Sequence, residues 1–449
     1  MLKLRLLALI AAAGTVPAVA APELAPLFLG NGVLQCDKPV PVWGRASPGE
    51  HVTVAFGGQK VGATAGADGR WIAVLAPLAS NSVGADLTVS GKATLTAHGI
   101  LVGEVWLCSG GSGMAAGLEM AGPAEVLGAR YPLIRHFRVP AAPTATDRGS
   151  WEACTPESGA RLGIVDYFYA RDLFSRLGVP VGIINCSSER STLDEWMSPA
   201  SLAALPRARS PARGASQGAG GPQGPSSLFK AMIQPLLPYA IRGAIWYQGE
   251  GDVERAADYA VRFPVLITAW RSHFGEGDFP FFWVQVAGPN SPQPGMEDRW
   301  AKLREAQSLA LALPATGQAV AVDLGDSGRL EIARRLALIA KATVYSIPVD
   351  YSGPTYSGSS VEGPAIRIRF NFSGEGLTAS GKPLQSFEIA GADRIFHVAG
   401  AAIQGDTVLV RSPLVKLPVA VRYAWHRSSE GNLYNGAGLP APPFRSDDW

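Results

Sequence analysis

Apolar and polar positions change their rhythm twice along the chain. Between residues 24 and 102 the apolar runs are short. Val40-Pro41-Val42-Trp43-Gly44, His51-Val52-Thr53-Val54-Ala55-Phe56 and Trp71-Ile72-Ala73-Val74-Leu75 alternate or cluster β-branched residues. Ser47-Pro48-Gly49, Gly57-Gly58 and Ala67-Asp68-Gly69 separate them, and this spacing predicts an antiparallel β module. From Gly103 onward buried-strand runs alternate with helical spacing. Strands are expected over 105–108, 179–185, 243–247, 281–286 and 319–323, and helices over 168–177, 228–237, 259–274 and 330–345. Such alternation builds a parallel sheet covered on both faces, with ligands beyond the carboxyl ends of its strands. From Ala365 the β pattern returns at 366–370, 386–389, 408–410 and 419–423.

The fold class read from this is α/β, a three-layer domain with a parallel sheet, joined to a β-sandwich-like module built from the N- and C-terminal segments. The division is 21–102, 103–350 and 351–449, with a loop rich in Ala, Gly, Pro, Ser and Arg over 199–227. Each β-rich end alone leaves strand edges unpaired, so the two ends are expected to pack together.

Composition adds little beyond this. Hydrophobic residues make up 47% of the 449, enough for a large core and more than one domain. The net charge of +2 offers no strong field for nucleic acid or an anionic membrane, and no basic stripe is interleaved with aromatics. Lys3 and Arg5 precede an apolar run over 6–16, and Ala18-Val19-Ala20 gives a small-x-small pattern. Residues 1–20 therefore read as a secretory signal peptide, and the protein is expected to be periplasmic or secreted, without stable membrane insertion after cleavage. Cys36, Cys108, Cys154 and Cys186 allow three full disulfide pairings in that setting. Their spacing matches no zinc motif, and no HExxH, CxxC or phosphate-binding glycine loop occurs, so no cofactor or metal is expected.

The chemistry concentrates at GEVWLCSGGSGMAAGLEM, from Gly103. An apolar strand breaks into small residues and exposes Ser112, which is how α/β hydrolases present a nucleophile. Small residues let the chain turn sharply and let amide N–H groups face a reacting carbonyl oxygen. Three further blocks stand after predicted strands or before a predicted helix. They are AIWYQGEGD at 244–252, NCSSERSTLDEW at 185–196 and AVAVDLGDSGRLEIARRLA at 319–337. In the first, Gln248 is able to donate to an oxyanion, Gly249 allows close approach, and Gln248 and Glu250 are equally able to tie the loop by hydrogen bonds.

These blocks resemble the sialate O-acetylesterase family of SGNH hydrolases. The family reads GEVWLCSGQSNM at the first block and IWYQGESN at the Gln248 block, and the ending NLYNGAGLPAPPFRSDDW is also similar. The resemblance implies an SGNH-type fold and hydrolysis of acetyl esters on sialic acid or related plant or glycan sugars. It implies Ser112 as nucleophile, with Gly113, Gln248, Gly249 and Glu250 at oxyanion or substrate positions. Departures from the family pattern accompany it. Gly113 stands in place of Asn, Glu189-Arg190 in place of two glycines, and Cys36 in place of Arg. The D-x-H-P segment that carries the general base is missing after Asp326. Impaired activity is therefore expected, with a catalytically inactive carbohydrate-binding protein as the alternative.

Overall fold

The computed structural model describes residues 22–142, 148–206, 224–288, 297–325, 328–425 and 431–449. The signal segment expected at 1–20, most of the 199–227 loop, Asp326, Ser327 and His426 lie outside the described residues.

The organising element is β1, Thr94–Gly110, a single 17-residue strand. Exposed and covered positions intermingle along its first six residues, whereas the last eleven are continuously buried. The first half therefore has one face open to water, and the second half is covered on both faces. Around that second half runs a sheet of β2 (Tyr131–Arg138), β3 (Trp151–Cys154), β4 (Val181–Ser187), β5 (Gly243–Tyr247), β6 (Phe281–Gln285) and β7 (Thr316–Val320). The order is β3-β2-β4-β1-β5-β6-β7. All neighbours are parallel except the antiparallel edge pair β3 and β2.

Side chains alternate across this sheet. Trp106, Cys108, Ile183, Ile245 and Phe282 point to the face covered by α1 (Ile164–Leu177) and α4 (Arg329–Thr343). Leu107, Ile184, Trp246 and Trp283 point to the face covered by α2 (Ala256–Phe274) and α3 (Glu297–Leu309). Trp246, Phe263, Trp270 and Trp283 pack there as an aromatic cluster, mostly edge to face. The mixed α/β domain with a largely parallel sheet, flanked by antiparallel sheets at both termini, is the fold class expected.

The two β-rich ends do not join each other in the way expected. Among the described residues they share neither a sheet nor a hydrophobic core. The amino half of β1 pairs with Asn81–Ser90 and Val33–Gln35, so the N-terminal strands complete their sheet on the α/β domain. Their core is continuous with the α2 face. The C-terminal strands pack around Ile366, Ile368, Phe387, Val408, Val410 and Tyr423, with Val320 and Val322 reaching in from the end of β7.

Other differences are local. The helix expected at 228–237 is a π turn, Phe229–Ile233, followed by a 3-10 turn at Gln234–Leu236. All four cysteines are buried free thiols. Cys36 donates to Glu104 at 3.1 Å, and Arg242 grips the same carboxylate through Nε and Nη2 at 2.6 and 2.9 Å. A cation thus stands beside Glu104 although position 36 carries none. Among the described residues no helix is long and apolar enough to cross a membrane.

Candidate active site

Ser112 follows β1 at the carboxyl edge of the sheet and opens a one-turn helix, Ser112–Ala115. It is exposed and lines a cleft of about 300 Å³ together with Gly113, Tyr247, Glu250, Trp300 and Arg329. The wall thus draws on the ends of β1 and β5 and on the starts of α3 and α4. The placement of Ser112 after a central strand is as the sequence predicts.

The Arg190 backbone N–H donates to Ser112 Oγ at 3.4 Å. Arg190 holds φ at +52°, the left-handed conformation that glycine adopts at little cost. Where the family pattern has glycine, a long side chain here takes up this conformation. The surrounding loop imposes it. Asp194 accepts from Arg255 at 3.0 Å and from Arg262 at 2.9 Å. Asp252 accepts from the Leu193 N–H, from Gln248 and from Arg255 at 2.7–2.8 Å. Thr192 and Glu195 form a capping box, and Trp196 Nε1 donates to Ser191 Oγ. A side chain at Gly251 would meet the Ser191 carbonyl at 2.5 Å, so the two loops touch backbone to backbone.

Gln248 is placed differently from expectation. It is fully buried, and it is not part of the cleft wall. Its amide donates to Ser191 O at 2.9 Å and to Asp252 at 2.8 Å, while its own carbonyl accepts from Gln307. Both amide protons are committed to the loop framework beneath Ser112. Gly249, at φ +159°, is buried next to Gln307 and Leu303 and is likewise no part of the wall. Gly113 faces the Tyr247 ring, and a Cβ there would lie 2.5 Å from a ring carbon. The ring fills the space an asparagine side chain would need.

Glu250 has solvent contact in the cleft, yet protein packs densely around it. Desolvation raises its pKa, partly offset by the Arg329 charge and by backbone N–H groups. Trp300 is buried, and its indole N–H has no acceptor among the described residues. Trp300 comes from a segment with no motif of its own, and Arg329, although inside the 319–337 block, is not among the residues that the sequence assigns a role there.

No histidine among the described residues lines this cleft. His51 and His98 are exposed on N-terminal strands, and His98 pairs with Asp86. His136 is on β2, 3.8 Å from Glu152, and burial lowers its pKa to about 4. His273 packs against Phe229, and His397 is on a C-terminal strand.

Residues 103–331 match the family described as carbohydrate esterase, sialic acid-specific acetylesterase. The sialate O-acetylesterase of Homo sapiens is 28% identical over 90% of this chain and 88% of its own length. That of Rattus norvegicus is 27% identical over 90% of both chains. The crystal structure of a carbohydrate acetylesterase from Xanthomonas citri superimposes with a TM-score of 0.87 and 38% identity, covering 96% of this chain and all of that one. With its serine at the carboxyl edge of the same sheet, this chain belongs to the sialic acid-specific acetylesterase family of carbohydrate esterases.

Proposed function

We propose that the Ser112 cleft binds acetylated carbohydrate, a sialic acid or a related plant or glycan sugar, and that ester hydrolysis there is strongly impaired. The observation that carries this is the surroundings of Ser112. An amide N–H reaches its hydroxyl, while no imidazole among the described residues shares the cleft.

In the family reaction the serine oxygen attacks the acetyl carbonyl, and a base takes its proton. The carbonyl oxygen becomes an oxyanion that needs fixed donors. The Arg190 N–H, 3.4 Å from Ser112 Oγ, is the backbone donor offered for this role. A serine hydroxyl without an adjacent base is a weak nucleophile. Removing a triad member leaves about 10³–10⁴-fold catalysis over water, supplied by the oxyanion donors and binding alone. Trp300 gives the cleft an aromatic wall for the apolar face of a sugar ring. The leader at 1–20 supports action outside the cytoplasm.

The test is hydrolysis of aryl acetates and O-acetyl sialosides by the wild type and by Ser112→Ala, with binding of the acetylated sugar measured in parallel. The expected result is negligible turnover in both proteins and retained binding. Robust turnover that vanishes in Ser112→Ala overturns the reading.

A further inference from the structure

A second cleft lies on the N-terminal β module, and none of its lining residues belongs to the Ser112 cleft. It measures about 860 Å³. One side is the three-stranded sheet of Glu23–Leu24, Val40–Arg45 and Arg70–Leu75. The other is the turn after Phe229–Ile233, through Gln234, Pro235, Leu237 and Pro238.

Its apolar part holds Trp43, Trp71 and Ile72, and Ile72 is 48% exposed. Ile72 lies across from Trp43 on the same face of the sheet, whereas Trp71 alternates to the covered face. Trp71 is 3% exposed, and its indole N–H has no acceptor among the described residues. Four cations, Arg45, Arg70, Arg148 and Lys230, line the cleft against one carboxylate, Glu23. Arg45 donates to the Asp68 carbonyl at 2.8 Å, and Arg70 lies 3.6 Å from the Asp68 carboxylate. Arg148 and Lys230 are exposed and have no partner among the described residues. The whole chain carries only +2, so this cleft concentrates positive charge locally.

We propose that this cleft is a second carbohydrate site, for an oligosaccharide bearing carboxylates. The Trp43 indole with Ile72 beside it suits the apolar face of a sugar ring, and the cations suit the carboxylates. A neutral glycan would leave the cations unused, and a polyanion without an apolar face would leave Trp43 and Ile72 unused. The choice of a sugar rests on the carbohydrate reading of the Ser112 cleft. Binding here needs no hydrolysis, so the two readings fail separately.

The experiment is calorimetric titration of full-length Ser112→Ala protein with an oligogalacturonide, its methyl-esterified neutral counterpart and a polyglutamate of similar charge. The expected result is saturable oligogalacturonide binding that weakens with salt, with both comparison ligands bound at least about tenfold less tightly. Arg148→Glu combined with Lys230→Glu is expected to weaken oligogalacturonide binding by about tenfold or more, the scale of losing a charge-assisted hydrogen bond. These two side chains have no structural partners, so the thermal midpoint should stay unchanged. Absence of saturable binding, equal binding of the neutral ester or of polyglutamate, or indifference to the double charge reversal overturns the proposal.

Discussion

At φ +52°, Arg190 keeps its amide on Ser112 Oγ although its side chain is one the left-handed region disfavours. The donor is a backbone group, so its position depends on torsion and not on side-chain chemistry. Left-handed backbone costs a non-glycine residue about 1–2 kcal/mol, and glycine returns part of that as extra freedom in the unfolded chain. Arg190→Gly is therefore expected to raise stability by up to about 1 kcal/mol, and Arg190→Val, β-branched at the same torsion, to lower it. Urea unfolding of the two variants checks the order. Gly113 obeys a different constraint. A Cβ there collides with the Tyr247 ring, so Gly113→Asn should cost about 1–3 kcal/mol through overpacking and should not restore esterase turnover. A variant that gains both stability and activity would show that the ring yields, and the same unfolding curves with an aryl-acetate assay decide it.

At the scale of elements, α1 carries a buried group that couples folding to pH. Asp166 stands in its first turn, 1% exposed, accepting from Asn185 and surrounded by Cys108 and Cys186. Burial pushes its pKa up to about 7, against hydrogen bonds from Asn185 and Cys108 that favour the carboxylate. An unfolded Asp ionises near pH 4, so between roughly pH 4 and the folded value the unfolded chain has lost a proton that the folded chain keeps. Stability therefore falls as pH rises through that window and levels off above about 7. Asp166→Asn should remove this slope, as urea midpoints at about pH 4.5 and about pH 8 would show. The elements themselves were largely legible in the sequence. Period-3.6 spacing located α1, α2 and α4, and apolar runs located β4, β5, β6, the buried end of β1 and part of β7, because burial on one or both faces imposes those periods. Of the site positions named from the sequence, Ser112, Gly113 and Glu250 line the cleft, and Gln248 and Gly249 do not. The loop that carries Arg190 is held by Asp194 to Arg255 and Arg262 and by the Leu193 N–H to Asp252, contacts that span some sixty residues of sequence. Gln248 reads as a cleft residue until the Ser191 carbonyl and Asp252 claim its amide. Trp300 and Arg329 reach the cleft from the starts of distant helices, which no local pattern reveals.

For the whole molecule, β1 decides which parts stand or fall together. Its amino half is the pairing edge of the N-terminal strands, and its carboxyl half is the centre of the sheet that presents Ser112. The N-terminal core and the α2 face form one continuous apolar cluster, whereas the C-terminal strands keep a separate one. The C-terminal strands are tied on by Val320 and Val322 and by Arg445 to Glu305 on α3, at 2.8 Å. A lesion in the middle of β1 should therefore loosen the N-terminal module and the central sheet in one step. Gly103 is the place to make it. A Cβ there would lie 2.0 Å from the Pro180 carbonyl oxygen, a backbone atom that cannot swing away. Gly103→Ala is expected to destabilise by about 1–3 kcal/mol through that overlap. Hydrogen exchange followed by mass spectrometry reads the result by segment. Peptides covering Asn81–Ser90 and Gly243–Tyr247 should lose the same protection, because both pair directly with β1. Peptides from Ala365–Asn371 and Thr407–Arg411 should lose less, since their core contains no residue of β1. Loss confined to the central sheet, with the N-terminal strands unchanged, would mean that the module folds without β1 in place.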